Sequence, residues 1–198
     1  MKMLQSTESL GDTPADRLPP IPPEKWTAEQ RVRAEAIIQG PRGALISPFV
    51  PLLRSPELMD HAQAMGEYLR YRSALGLHLS EFAILLTARD WTQQVEWAIH
   101  APIALREGVP AATIEAIAQG RRPVGMTVEQ SLVYEFVGEL QRNKSISDAT
   151  WADFVQHFGE REAMDLVGIV GYYSFLSMVM NAARTAVPPS TAARLQPL

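Results

Sequence analysis

Apolar positions in this chain recur every three or four residues, and no stretch alternates apolar with polar strictly enough to read as a half-buried strand. The segment after Thr127 is the clearest case, with Leu132, Phe136, Val137 and Leu140 on one face of a helix. Its start is marked by Thr127-Val128-Glu129-Gln130, a capping-box spacing in which the threonine and glutamine side chains each take up a free backbone amide. The same spacing at Thr27-Ala28-Glu29-Gln30 opens an earlier helix that should end at Gly40-Pro41. The likeness of the two starts hints at a duplicated helical unit.

Between them, Gly40 to Pro51 is rich in helix breakers and reads as loop. Ser55-Pro56-Glu57 then begins a helix through Leu58, Met65 and Leu69 to about Tyr71. Ser80 is the expected cap of a helix from Glu81 to Arg89, whose Phe82-Ala83-Ile84-Leu85-Leu86 run is apolar on all sides and therefore central. Asp90-Trp91-Thr92 marks a bend or break before a helix from about Gln93 to Glu107. Pro110 fronts a short helix ending near Gly120, Ser147 caps one ending near Gly159, and a long final helix runs up to Pro188. The expectation is an all-α fold: a helical domain over 26–187, a tail over 188–198, and a proline-rich arm over 1–25. In that arm Pro14, Pro19, Pro20, Pro22 and Pro23 fix the backbone and remove donors, so it reads as extended. It either stays disordered or lies across a neighbouring subunit.

Composition narrows the classes. Hydrophobic residues at 46% and charged residues at 20% are ordinary for a globular chain. A net charge of −4 with no basic block gives no reason to expect nucleic acid, though local basic pockets for an anionic ligand are compatible with it. There is no cysteine, which removes disulfides, thiolate metal ligands and thiol redox chemistry together. The N-terminal segment lacks the apolar core of a signal peptide. Leu166 to Met180 is the most apolar run; it is shorter than the ~20 residues of a spanning helix and carries Gly168, Gly171, Ser174 and Ser177. It reads as a buried core helix, in a cytoplasmic protein with no membrane partner.

Candidate chemistry lies between Glu81 and His100. On a helix Gln93, Glu96 and His100 fall within about 60° of one another, with Trp97 on the same flank and Val95, Ala98 and Ile99 pointing elsewhere. Glu96 and His100, at i and i+4, are near enough to hydrogen-bond. Glu81 would be ~28 Å from His100 along one straight helix, so the two meet only if the chain reverses near Asp90-Trp91-Thr92.

At these residues the chain resembles a known family. Glu96-Trp97-Ala98-Ile99-His100 looks like the Glu-Trp-x-x-His motif of the carboxymuconolactone decarboxylase family, in the alkylhydroperoxidase D-like superfamily. The related alkylhydroperoxidase branch has a Glu, two cysteines three apart and a His, which fall by spacing on Glu81, Gln93, Glu96 and His100. Both cysteines are replaced, so a disulfide-based peroxidase activity does not carry over. Gly40-Pro41-Arg42-Gly43, Ser55-Pro56-Glu57-Leu58 and Gly168-Ile169-Val170-Gly171-Tyr172-Tyr173 extend the resemblance over roughly 26–187.

The resemblance implies an alkylhydroperoxidase D-like helical bundle, a homo-oligomer (trimer or hexamer), and a lyase that needs no cofactor and no metal. Its partner would be a small organic acid or lactone. In such a site His100 is the acid/base, titrating near ~6.5 if unperturbed. Glu81 and Glu96 are orienting acids or relays, and Gln93 and Trp97 line the substrate. A substrate carboxylate would fall to one of Arg42, Arg70, Arg72 or Arg89.

Plainer readings stand beside these. Glu81 alone suits the first turn of a helix, Glu96 and His100 an ordinary surface pair, Trp97 the core, and Tyr172 and Tyr173 the core or an interface. Two further classes are a non-catalytic oligomer that kept the fold and a metal-binding helical protein. The second is weakened because Glu-x-x-x-His occurs once, whereas di-iron bundles repeat Glu-x-x-His on two helices.

Overall fold

The computed structural model describes residues 16–189, 192 and 194–197. Among them the chain is all-α: α1 (Ala28–Gln39), α2 (Phe49–Leu52), α3 (Pro56–Tyr71), α4 (Leu77–Asp90), α5 (Gln94–Arg106), α6 (Ala111–Ala118), α7 (Val128–Asn143), α8 (Asp148–His157) and α9 (Glu160–Ala183), with a 3₁₀ turn at Pro23–Lys25. Both capping boxes form as read: Thr27 and Thr127 accept from the amides of Gln30 and Gln130, whose side chains accept from the threonine amides in return.

The core is built around α4. Phe82, Ala83, Ile84 and Leu85 are all buried, and α4 packs against α5 on one side and α7 and α9 on others. A helix apolar all round can only be stable in that position.

Three boundaries depart from the sequence reading. The helix expected to start after Ser80 starts at Leu77, because Gly76 adopts φ +76° and turns the chain into the helix earlier; Ser80 is buried inside it, its amide bonded to the Gly76 carbonyl. The expected loop from Gly40 to Pro51 holds the one-turn helix α2, entered through a cis Ser47-Pro48 bond. The last helix ends at Ala183 rather than near Pro188. There Arg184 takes φ +54° and the amide of Thr185 reaches back to Met180.

At 24 residues, α9 is long and apolar enough to cross a membrane, so the argument from a short apolar run does not hold. What places α9 in a globular core is that 56% of its most apolar window is buried, with α3, α4, α7 and α8 packed along it.

Of the arm, residues 1–15 lie outside the described residues, and with them most of the expected contact to another subunit. Residues 16–25 lie on their own chain. The amide of Arg17 donates to the Ala183 carbonyl at 2.8 Å, satisfying an orphan acceptor at the end of α9, and Arg54 holds the Pro19 carbonyl at 2.7 Å.

The reversal between α4 and α5 occurs where it was expected. Trp91 closes α4, Thr92 sits at φ +46°, and the amide of Gln93 returns to the Ala88 carbonyl at 2.8 Å. A β-branched residue is costly in that conformation, whereas asparagine visits it readily. Thr92→Asn is expected to stabilise the fold by about 0.5–1 kcal/mol, read as a higher urea midpoint at unchanged m-value. A lower midpoint would mean that the threonine side chain contributes more than its backbone strain costs.

Candidate active site

The turn at Thr92 folds α5 back along α4 and brings Glu81 and His100 together. His100 Nδ1–H donates to Glu81 Oε2 at 2.7 Å. On its other edge Nε2–H faces Glu96 Oε2, one helical turn earlier on α5, at 3.3 Å. All three side chains are buried, with relative exposures of 1% for Glu81, 2% for Glu96 and 3% for His100. Both ring nitrogens thus face carboxylates.

Local structure fixes this arrangement. Gln93 is the N-cap of α5, its side-chain oxygen accepting from the amides of Val95 at 2.5 Å and Glu96 at 3.3 Å. Its amide nitrogen donates to Asn181 of α9 at 2.8 Å. Glu96 then falls in the first turn of α5, where the helix dipole favours an anion. The imidazole meets the ring of Tyr173 edge-on at 5.1 Å, and Tyr173 meets Tyr172 in the same manner at 5.3 Å.

Burial is the largest single influence on His100 and disfavours its charged form. The charges and hydrogen bonds of Glu81 and Glu96 together outweigh it and raise the pKa to about 9. The near-neutral donor expected from an unperturbed imidazole is thus replaced by an imidazolium at neutral pH. Burial also pushes Tyr172 up to about 12, against the opposing charge of Arg42, and holds Tyr173 well above the ordinary phenol range with the help of Glu96 and Glu81. Both tyrosines stand as neutral hydroxyls.

Glu96 and His100 line a cavity closed on its outer side by Arg42, Ile46, Ser47 and Pro48, and on its inner side by Tyr172 and Tyr173. Among the described residues Glu96 Oε1 in this wall is buried without a hydrogen-bond partner, and the Tyr172 hydroxyl has the Arg42 guanidinium beside it. The space open to water-sized molecules is about 20 Å³, enough for about one water. The hydroxyl of Tyr172 lies against Gly66 of α3, where any side chain would overlap it and the Arg42 guanidinium.

The sequence-predicted residues divide. Glu81, Glu96 and His100 come together, with Glu81 behind the imidazole and outside the cavity wall. Gln93 does not face the cavity; its amide is spent on the cap and on Asn181. Trp97 is buried in the core on the opposite flank, and Ile99, which the helical projection turned away, lines the cavity instead. Glu96, Ile99 and His100 thus define the stripe, and the projection had picked the wrong side of His100. Of the four candidate arginines, Arg42 and Arg70 reach the cavity, whereas Arg72 lies over Tyr68 and Arg89 holds the Gln196 carbonyl. Tyr172 and Tyr173 are the wall residues that the sequence reading left to packing. Their only sequence signal was two adjacent phenols in an otherwise apolar helix.

With the geometry in view, comparison with known proteins bears on the fold. No family model matches the chain, and neither does any curated protein. Solved structures do. A peroxidase-related protein with an alkylhydroperoxidase AhpD core from Ralstonia eutropha JMP134 superposes with a TM-score of 0.73 at 15% identity, covering 88% of this chain and 93% of that one. An uncharacterised peroxidase-related protein from Silicibacter sp. TM1040 gives 0.69 at 15% identity over 91% and 95%. A protein of unknown function from Agrobacterium tumefaciens gives 0.63 at 15% identity over 70% and 96%. The fold is alkylhydroperoxidase D-like. At this identity the likeness concerns architecture, and the chemistry rests on the side chains described above.

The shifted imidazole has a measurable consequence for pH. Its folded pKa lies above the unfolded value, so the stability it contributes is complete below pH 6.5 and is lost as pH rises through about 9. Unfolding free energy should therefore fall across that interval, and ring-proton NMR should show His100 titrating near pH 9. A midpoint below 6.5 would mean that desolvation wins over the two carboxylates.

Proposed function

We propose that this chain is a cofactor-independent acid–base catalyst of the lyase type, acting on a small lactone or keto acid. The observation that carries the proposal is an imidazolium clamped between two buried carboxylates, one of which presents an unpartnered oxygen to a cavity. The residue resemblance to carboxymuconolactone decarboxylases supplies the reaction class. When a carboxylate leaves as CO2, the electron pair of the broken C–C bond enters the adjacent conjugated carbonyl and forms an enolate. A proton must then reach carbon as that pair returns to form C–H. His100 holds the proton and Glu96, which faces its Nε2 and shares the cavity wall with it, is the relay, while Glu81 fixes the ring and supports its charge. Solvent restores the proton. The neutral hydroxyl of Tyr172 is a donor for the developing oxyanion, and Arg42 and Arg70 are placed to hold a carboxylate that stays.

A ring of lactone size does not fit the present space, so entry requires the outer wall at Arg42 to Pro48 to move. The same narrowness favours one second reading, in which the Glu81–His100–Glu96 cluster is a packing clamp in a non-catalytic oligomer. The homo-oligomer implied by the resemblance remains part of either proposal, supported by Met164 and Met178 exposed on α9.

Glu96→Gln separates the two readings while keeping shape and hydrogen bonding. His100→Ala is less suitable, since it leaves two buried carboxylates without their cation, a change that typically costs about 3–5 kcal/mol. With 4-carboxymuconolactone and related enol lactones as substrates, Glu96→Gln should lower turnover by about 10²–10⁴-fold. Wild-type turnover in that variant, or no turnover of any lactone by the parent, favours the clamp. Without a thiol, the protein should show no dithiol-dependent reduction of organic hydroperoxides; robust turnover in that assay would point to a different reaction class.

A further inference from the structure

A second, larger cavity lies on the far side of α4 and shares no wall residue with the first. Its volume is about 280 Å³, close to the lower end of the range of small-molecule pockets. α4, the end of α6 and α7 enclose it. Leu86, Ile117 and Val137 give it an apolar floor, and Arg89, Arg121 and Arg142 surround that floor, with Asp90 the one acid in the wall.

The polar atoms here are unbalanced in one direction. Among the described residues two wall side chains carry buried donors without a partner, Arg89 Nε and Gln141 Nε2. Arg89 is only 5% exposed, and among the described residues its guanidinium uses one nitrogen, on the Gln196 carbonyl at 2.6 Å. Arg121 bonds the neutral side chain of Gln119 at 2.7 Å. Arg142 folds back over its own helix at Gly138, where a Cβ would lie 2.8 Å from its guanidinium. A glycine in mid-helix costs about 1 kcal/mol against alanine, and here it makes the room for that fold-back. The nearby acid Glu139 spends both oxygens on Ser147 and Thr150. None of the three arginines forms an ion pair among the described residues.

We propose that this cavity is a binding site for a small amphiphilic anion, a carboxylate or phosphate head on an apolar body. The arginines and Gln141 supply donors to the head, and Leu86, Ile117 and Val137 receive the body. Buried donors without acceptors call for an acceptor-rich ligand, and the apolar floor excludes a bare hydrated ion as the best fit.

Hexanoate and hexyl phosphate test the proposal against hexanol, which has the body alone, and inorganic phosphate, which has the head alone. Binding is read by thermal shift and isothermal titration on the full chain. At least one amphiphilic anion should bind saturably and weaken as salt is raised, with both single-feature probes at least about tenfold weaker. Which head binds better then distinguishes carboxylate from phosphate. Arg142→Gln, at an exposed position that should fold normally, is expected to weaken binding about tenfold or more, and Arg121→Gln provides a second such variant. Glu96→Gln should leave binding unchanged, which separates this site from the one around His100. Equal binding of hexanol, unchanged affinity in both arginine variants, or no binding of either anion at about 10 mM would overturn the proposal.

Discussion

A cation buried between two carboxylates organises this molecule. Taking three charges out of water costs several kcal/mol for each ion, and only close, well-aligned partners repay it. The partners come from two helices, so the arrangement demands that α4 and α5 be held at one separation and one register. The apolar girth of α4, the left-handed turn at Thr92 and the Gln93 cap all serve that demand. Asn181 extends it to α9 by holding the same glutamine from the other side. Arg42 and Arg70 stand in the adjoining wall with Glu96 and His100.

Much of this was legible in the residues, for reasons that can be named. The capping boxes at Thr27 and Thr127 were readable because their chemistry is local, contained in four consecutive residues. The break at Asp90 to Thr92 was readable between two helical runs, whereas the approach of Glu81 to His100 was expected only on the condition that the chain reversed there. The early start of α4 was not legible, since Ser80 is a good cap by composition and only the backbone angle of Gly76 outranks it. The side of α5 that faces the cavity was also hidden. Projection places Trp97 and Ile99 on opposite flanks of the Glu96–His100 stripe, and the choice between them belongs to α9 and to the segment from Arg42 to Pro48. The imidazole's charge was misjudged because a sequence shows neither burial nor the second carboxylate's distance.

The chain has no cysteine. Where the cysteine-bearing branch places its pair by spacing, this chain has Gln93 and Glu96. A helix N-terminus favours a thiolate, and the same backbone amides here are taken by the Gln93 side chain. At these two positions the present chain has a neutral amide and a carboxylate, the first spent on the cap of α5 and the second on His100.

Gly66 carries a consequence for how this protein can vary. The Tyr172 hydroxyl occupies the volume that a side chain on α3 would need, so two helices share a single space. A lineage that gains a methyl at position 66 must shift or shorten the side chain at 172, whose Cζ would also lie only 2.6 Å away, or move the helices apart, and in either case the cavity wall changes. Positions 66 and 172 should therefore drift together or not at all, a packing constraint written as covariation between residues more than a hundred places apart in the chain.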